Sequence, residues 1–142
     1  MRILVPVDGS ARANRAVEHA LLLASGRLDV EVTLVNVQSQ ETLDISEISG
    51  VMSVGADRKL AADQSKKALR KAARLCRNAQ AKFDTRSELG PIAETINRIA
   101  REVKANQIVM GTRGFGPLRG LVLGSVATKV VHLARVPVTL VK

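Results

Sequence analysis

Tryptophan and tyrosine are absent from this chain, and phenylalanine occurs only at Phe83 and Phe115. The core must therefore be aliphatic. The same shortage removes the stacking platforms on which single-stranded nucleic acid is held. One cysteine, Cys76, excludes an internal disulfide framework. No apolar run approaches the roughly 20 residues of a membrane span. Residues Met1 to Val7 are too short and too close to Pro6 for a signal peptide. These absences lead us to expect a cytoplasmic protein with no membrane partner. His19 and His132 are far apart, and neither has a third metal ligand spaced with it. No Ser/His/Asp or Cys/His arrangement emerges, so no catalytic residue and no metal ligand is assigned.

Acidic residues are also scarce, 13 against 22 basic ones, for a net charge of +9. The excess is concentrated. Between Asp57 and Arg86 stand ten Lys or Arg and three Asp, a local net of +7. A basic face can attract nucleic acid, phosphorylated ligands or an anionic surface. A solvated face is the simpler reading. Specific nucleic-acid binding is not expected, because stacking aromatics and a reading-helix motif are both missing.

What the chain has in quantity is Val, Ile, Leu and Ala. Its 142 residues suit one domain, 1–142, with a real core. Arg2 to Val7 reads as a buried strand, with Pro6 near its end. Asp8-Gly9-Ser10 is a turn, and Ser10 can cap a helix whose inward face is Ala13, Ala16, Val17, Ala20, Leu21 and Ala24. Gly26 stops that helix. Val30 to Val37 is a second strand. Gln38 to Ala56 is a long polar connection that can contain a short helical piece within Glu41 to Ile48. A helix over Asp57 to Ala79 would turn Ala61, Ala68, Ala72, Leu75, Cys76 and Ala79 inward, and Lys66, Arg70, Arg74 and Arg77 outward. Lys82 to Glu88 is a third strand with weak alternation. Gly90-Pro91 opens a third helix with Ile92, Ile96, Ile99, Ala100 and Val103 inward, and Glu94 and Arg98 are spaced as an i,i+4 pair. A fourth strand ends at Gly111, a fourth helix covers Val126 to Ala134, and Val136 to Val141 is a fifth strand.

Strands alternating with helices mean a doubly wound α/β fold, a five-stranded parallel sheet with helices on both faces. Ligands in such sheets bind beyond the carboxyl ends of the strands, where the strand order reverses. Two stretches are placed for that, Asp8 and the glycine-rich run Met110 to Val126 (MGTRGFGPLRGLVLGSV). Glycines let a backbone approach an anion, and a helix N-terminus offers unpaired amides and partial positive charge. Arg113 and Arg119 can add full charges, and Ser125 is expected at the N-cap. Gly111 and Gly116 have P-loop separation, but Pro117-Leu118 stands where Lys-Ser/Thr is needed. Gly114, Gly116 and Gly120 are one residue too long for the dinucleotide fingerprint. What remains is Gly111-x-x-Gly114, nine residues, then Gly124-Ser125.

That pattern resembles the nucleotide-binding signature of the universal stress protein family. The opening Ile3-Leu4-Val5-Pro6-Val7-Asp8-Gly9-Ser10, the segment Ile108-Val109-Met110-Gly111-Thr112-Arg113-Gly114, the helix start Gly124-Ser125-Val126-Ala127 and the closing Val136-Pro137-Val138-Thr139-Leu140-Val141 are similar to it, in order and along the whole chain. The resemblance implies strand order 3-2-1-4-5 and a homodimer. It places Asp8 near adenosine, Pro6, Val7 and Val37 near the base, and Gly111, Gly114, Gly124, Ser125 and Val126 around ribose and phosphates. With neighbouring Met110 and Arg113, these are the candidate binding residues. The cofactor implied is ATP, or ADP or AMP, with Mg²⁺ held by phosphates and water. The expected role is regulatory, in a stress response, with at most slow ATP hydrolysis. The second reading is a nucleotide-free dimeric module working through its basic helix. An apolar fifth strand carrying Pro137 suits a sheet edge, and antiparallel pairing of Val136 to Val141 with a second copy would cover it.

Overall fold

The computed structural model describes residues 1–39, 54–113 and 123–142. Five parallel strands, β1 (Arg2–Pro6), β2 (Glu31–Gln38), β3 (Lys82–Leu89), β4 (Gln107–Gly111) and β5 (Val138–Val141), form one sheet in the order β3-β2-β1-β4-β5. Four helices connect them among the described residues: α1 (Ala11–Ala24), α2 (Val54–Asn78), α3 (Ile92–Glu102) and α4 (Ser125–Leu133). The possible helical piece within Glu41 to Ile48 lies outside the described residues.

The three central strands are apolar on both faces, which is why their sequences do not alternate. Ile3, Leu4, Val5, Val32, Leu34, Val35, Ile108 and Val109 are fully buried. Ile3, Val5, Leu34 and Val109 pack with Ala13, Ala16, Val17 and Ala20 of α1 and Ala72, Ala73 and Cys76 of α2. Leu4, Val35, Ile108 and Met110 pack on the other side, with Ile96, Ile99 and Ala100 of α3 and Ala127 and Val130 of α4. Alanine on the inward face of α1 and α2 lets these helices lie close to the sheet. Burial in this apolar layer pushes the Cys76 thiol up to about 11.

The helix boundaries carry two corrections. Ala79, expected to face inward, is exposed just beyond α2, and Ala73 is buried instead. The reason is the way α2 ends. Gln80 adopts a left-handed conformation (φ 53°), its N–H donates to Arg77 O, and the Ala81 N–H donates to Cys76 O at 3.0 Å. That is a Schellman closure built on a non-glycine residue. Lys104 (φ 51°) closes α3 in the same way, with Ala105 N–H donating to Ala100 O at 2.8 Å. The second correction concerns Glu94 and Arg98, which do not pair. Glu94 meets Lys129 of α4, while Arg98 meets Glu102 one turn on and Glu88 of β3 at 3.2 Å. Lys129 lies nearer Glu94, and Glu102 on the other side of Arg98, together with Glu88, lies nearer Arg98. The hydrogen bond from Lys129 holds Glu94 below the usual carboxylate range, and Arg98 does the same for Glu102.

Candidate functional site

The strand order reverses between β1, which continues outward to β2, and β4, which continues to β5. The carboxyl ends of β1 and β4 are therefore neighbours at the point where doubly wound sheets bind their ligands.

The β1 side is built by a short hydrogen-bonded turn. Pro6 ends the strand and is half-buried, Val7 is buried and Asp8 is exposed. The Ser10 N–H donates to Asp8 Oδ1 at 2.9 Å, and Gly9 takes φ 90°, where a side chain would be strained. Ser10 then caps α1, its Oγ accepting from the Ala13 N–H at 3.1 Å. One Asp8 oxygen is thus committed to the turn. The other has no partner among the described residues.

A polar relay ties this turn to β2. Asn36, 2% exposed, donates through Nδ2 to Val7 O at 2.7 Å. Gln38 Nε2 donates in turn to Asn36 Oδ1 at 2.8 Å. Val37, between them, is half-buried. The relay was not anticipated from sequence, although an asparagine and a glutamine at the end of a strand rich in valine and leucine were its signal. A buried amide that bonds a strand-end carbonyl keeps that end of the sheet from fraying.

The β4 side is joined to two elements at once. Met110 is buried, and Gly111 is half-buried against the first turn of α1. A Cβ at Gly111 would lie 3.0 Å from Arg12 Cβ and 3.1 Å from Arg12 C. Its lack of a side chain thus serves helix packing. Buried Thr112 donates its N–H to Val141 O at 2.9 Å and accepts the Gly124 N–H at 2.8 Å. It pins the end of β4 to β5 and to the start of α4. Its place in the motif did not by itself reveal this joining role. Arg113 is half-buried beside Gly124, with its Cγ 3.7 Å from where a Cβ of Gly124 would stand.

Ser125 was expected at the N-cap of α4, but Gly124 occupies that position in extended conformation, with no side-chain cap bond. Ser125 is the first helical residue and is exposed. The Gly124 N–H bond to Thr112 O sets where the chain turns into the helix, one residue earlier than the cap preference of serine indicates. Thr128 donates both its N–H (2.9 Å) and its Oγ1 hydroxyl (3.0 Å) back to Gly124 O. Val126 is half-buried against the α3–α4 side of the core. Gly114, Gly116, Arg119 and Gly120 lie outside the described residues.

Pro6, Val7, Asp8, Val37, Met110, Gly111, Arg113, Gly124, Ser125 and Val126 are thus all found on elements that reach the carboxyl edge of the sheet or begin a helix there. The chemistry available is recognition: an exposed carboxylate oxygen, the amides of a helix N-terminus and an arginine, with Val7 buried on the α1–α2 side of the sheet and Val37 half-buried on the other. Among the described residues no three His, Cys, Asp or Glu side chains converge as a metal cage.

The model of the universal stress protein family matches residues 1–142. Universal stress protein MJ0531 of Methanocaldococcus jannaschii is 33% identical over 144 residues, covering 99% of this chain and 81% of that protein. The solved hypothetical protein MJ0577 has the same fold, with TM-score 0.86, 24% identity, and coverage of 99% and 94% of the two chains. The universal stress protein of Archaeoglobus fulgidus in complex with dAMP aligns with TM-score 0.72 and 27% identity over 100% of this chain and 98% of that one. A universal stress protein in complex with cAMP aligns with TM-score 0.72 and 25% identity over 100% and 97%. Sheet order and full-length similarity agree: the chain belongs to the universal stress protein family.

Proposed function

We propose that this protein binds an adenine nucleotide, ATP foremost, at the carboxyl edge of its sheet, and that occupancy is read by a partner in a stress response. The observation that supports the reading is the strand order, which makes β1 and β4 neighbours at the switch point, with the Asp8 turn following one and the start of α4 following the other. The relatives solved with dAMP and cAMP supply the ligand class. In this reading the second Asp8 oxygen accepts from the sugar, Val7 and Val37 line the base, and the first amides of α4 face the phosphates with Arg113. Mg²⁺ fits as an ion held by phosphate oxygens and water. No described residue is placed as a base for water, so hydrolysis is expected to be slow. The functional unit is a homodimer joined through β5. That strand is the sheet edge beyond β4, and Val138 and Leu140 already pack into the core on one side.

The test is titration calorimetry of nucleotide-stripped protein with ATP·Mg²⁺, ADP and AMP, alongside Asp8→Asn and Gly114→Val. Asparagine keeps the acceptor that Ser10 needs and removes the charge. It is expected to weaken binding by about tenfold, roughly 1.4 kcal/mol, with an unchanged melting temperature. The valine is expected to block close approach of the phosphates. A parent protein that binds none of the three nucleotides defeats the proposal and favours the nucleotide-free module. Rapid multiple-turnover hydrolysis by the protein alone defeats its regulatory part. Sedimentation analysis tests the dimer, for which a monomer at micromolar concentration is the contrary result.

A further inference from the structure

The proposed nucleotide site makes no use of the charge on α2. Lys66, Lys67, Arg70, Lys71, Arg74 and Arg77 are all exposed, and none has an ion-pair partner among the described residues. The carboxylates that do pair, Asp29, Glu31, Glu88, Glu94 and Glu102, bond cations on other elements or at the amino terminus. Asp63 is exposed on α2 itself, yet it joins none of these cations. Lys66, Arg70, Arg74 and Arg77 follow one another at steps of four, four and three residues, so they form a stripe along the helix. Like charges at these steps destabilise a helix unless an anion compensates them.

The rest of the exposed face discriminates among anionic partners. Beyond Lys, Arg and Asp63, its described exposed positions are Ala62, Gln64 and Asn78. No large apolar or aromatic side chain is among these described positions. Protein interfaces are anchored by buried aromatic and arginine side chains in well-packed pockets and are depleted in lysine, whereas half of the six cations here are lysine and no aromatic stands among the described exposed positions. A membrane-surface helix needs apolar side chains to sink below the headgroups. Single-stranded nucleic acid needs stacking rings. A duplex phosphate backbone needs none of these, only a line of cations.

We propose that the outward face of α2 binds the phosphate backbone of duplex nucleic acid without reading its sequence. The stripe from Lys66 to Arg77 is about 17 Å long at the helical rise, and a duplex presents about ten phosphate charges over that length. The absence of reading residues, which argues against sequence-specific recognition, leaves this mode untouched.

The experiment is fluorescence anisotropy of a mixed-sequence duplex of about 20 base pairs, titrated with the full chain between about 50 and 200 mM salt. With four phosphates neutralised, the slope of log K against log salt is expected near −3.6, a loss of roughly 150-fold across that range. The triple variant Lys66→Gln, Arg70→Gln, Arg74→Gln should lower affinity and make the slope shallower by about 2.7. A control triple, Arg27→Gln, Lys82→Gln, Lys129→Gln, removes the same formal charge elsewhere and should retain the slope. Circular dichroism verifies that both variants fold, and glutamine is a good helix former at the exposed α2 positions. No duplex binding at the lowest salt overturns the proposal. So does equal weakening by both triples, a marked sequence preference, or tighter binding to vesicles of phosphatidylglycerol and phosphatidylcholine than to the duplex.

Discussion

Substituting Gly111 by alanine separates a packing role from a ligand role at the most prominent glycine of the motif. The added Cβ would stand 3.0 Å from Arg12 Cβ, 3.1 Å from Arg12 C and 3.3 Å from Ala13 N. Two of these are backbone atoms of the first turn of α1, so a side-chain rotation cannot relieve the contact. The helix cannot easily retreat, because its N-terminus is capped by Ser10 and Ala13, Ala16 and Val17 are buried against the sheet. Overpacking of this kind costs about 1–3 kcal/mol. The reduced entropy of the unfolded chain returns about 0.4–1 kcal/mol. The net loss, up to about 2.6 kcal/mol and about 1.3 kcal/mol at mid-range, corresponds to a melting temperature lower by about 4 °C at mid-range and about 9 °C at most for a domain of this size. Gly124→Ala is the internal control. Its nearest neighbours to a Cβ are at 3.4 Å, and its backbone (φ −74°, ψ 158°) is open to alanine. A lost cap preference and the gained unfolded-state term then nearly cancel, leaving a change within about 1 kcal/mol. Urea unfolding of both variants, compared at constant m, makes the measurement. A Gly111→Ala protein at least as stable as Gly124→Ala would falsify the packing account.

Two further outcomes are expected. Asn14 is buried on α1, and its Nδ2 has no hydrogen-bond partner among the described residues. Asn14→Leu should therefore raise stability by about 1 kcal/mol in denaturant titration, whereas a loss would show that the amide is satisfied in solution. The Cys76 thiol, raised to about 11 by burial, holds its proton more tightly in the folded than in the unfolded chain. The associated stability is complete below the unfolded pKa of about 8.5 and is lost as pH rises toward the folded value. Between these limits the stability of the parent should fall more steeply with pH than that of Cys76→Ala, and parallel profiles refute the assignment.

The sheet was legible because its signals are redundant. Apolar runs at Ile3 to Val5, Val32 to Val35 and Ile108 to Met110 are separated by helices with clear inward faces, and a parallel α/β order follows from that alternation. The neighbourhood of β1 and β4 came from the family resemblance, because periodicity does not rank topologies. The misses share a cause. Gln80 and Lys104 end helices in a conformation that glycine usually signals, so the end of α2 was set one residue late and Ala79 was placed inward. Glu94 and Ser125 were judged by local rules, and tertiary partners decided both, Lys129 and the Thr112–Gly124 hydrogen bond, while Arg98 turned to Glu102 on its own helix and to Glu88 of β3. Asn36 and Thr112 position the site without being ligands in the motif, and their roles depend on carbonyls distant in sequence, Val7 O and Val141 O.

These positioning residues bear on how the proposed site would work. Asp8 already spends one oxygen on the turn, Gly111 makes room for α1, Thr112 uses both backbone groups, and the Gly124 N–H is taken. The edge is therefore shaped by folding before any ligand arrives, which lowers the ordering cost of binding. The same economy means that most substitutions there disturb stability and recognition together. A loss of binding in Gly111 or Thr112 variants would thus say little about contact with a nucleotide. Asp8→Asn differs, because the amide oxygen can replace the carboxylate in the bond from Ser10 while the charge disappears. Its effect at an unchanged melting temperature is the observation that distinguishes a ligand contact from a structural one.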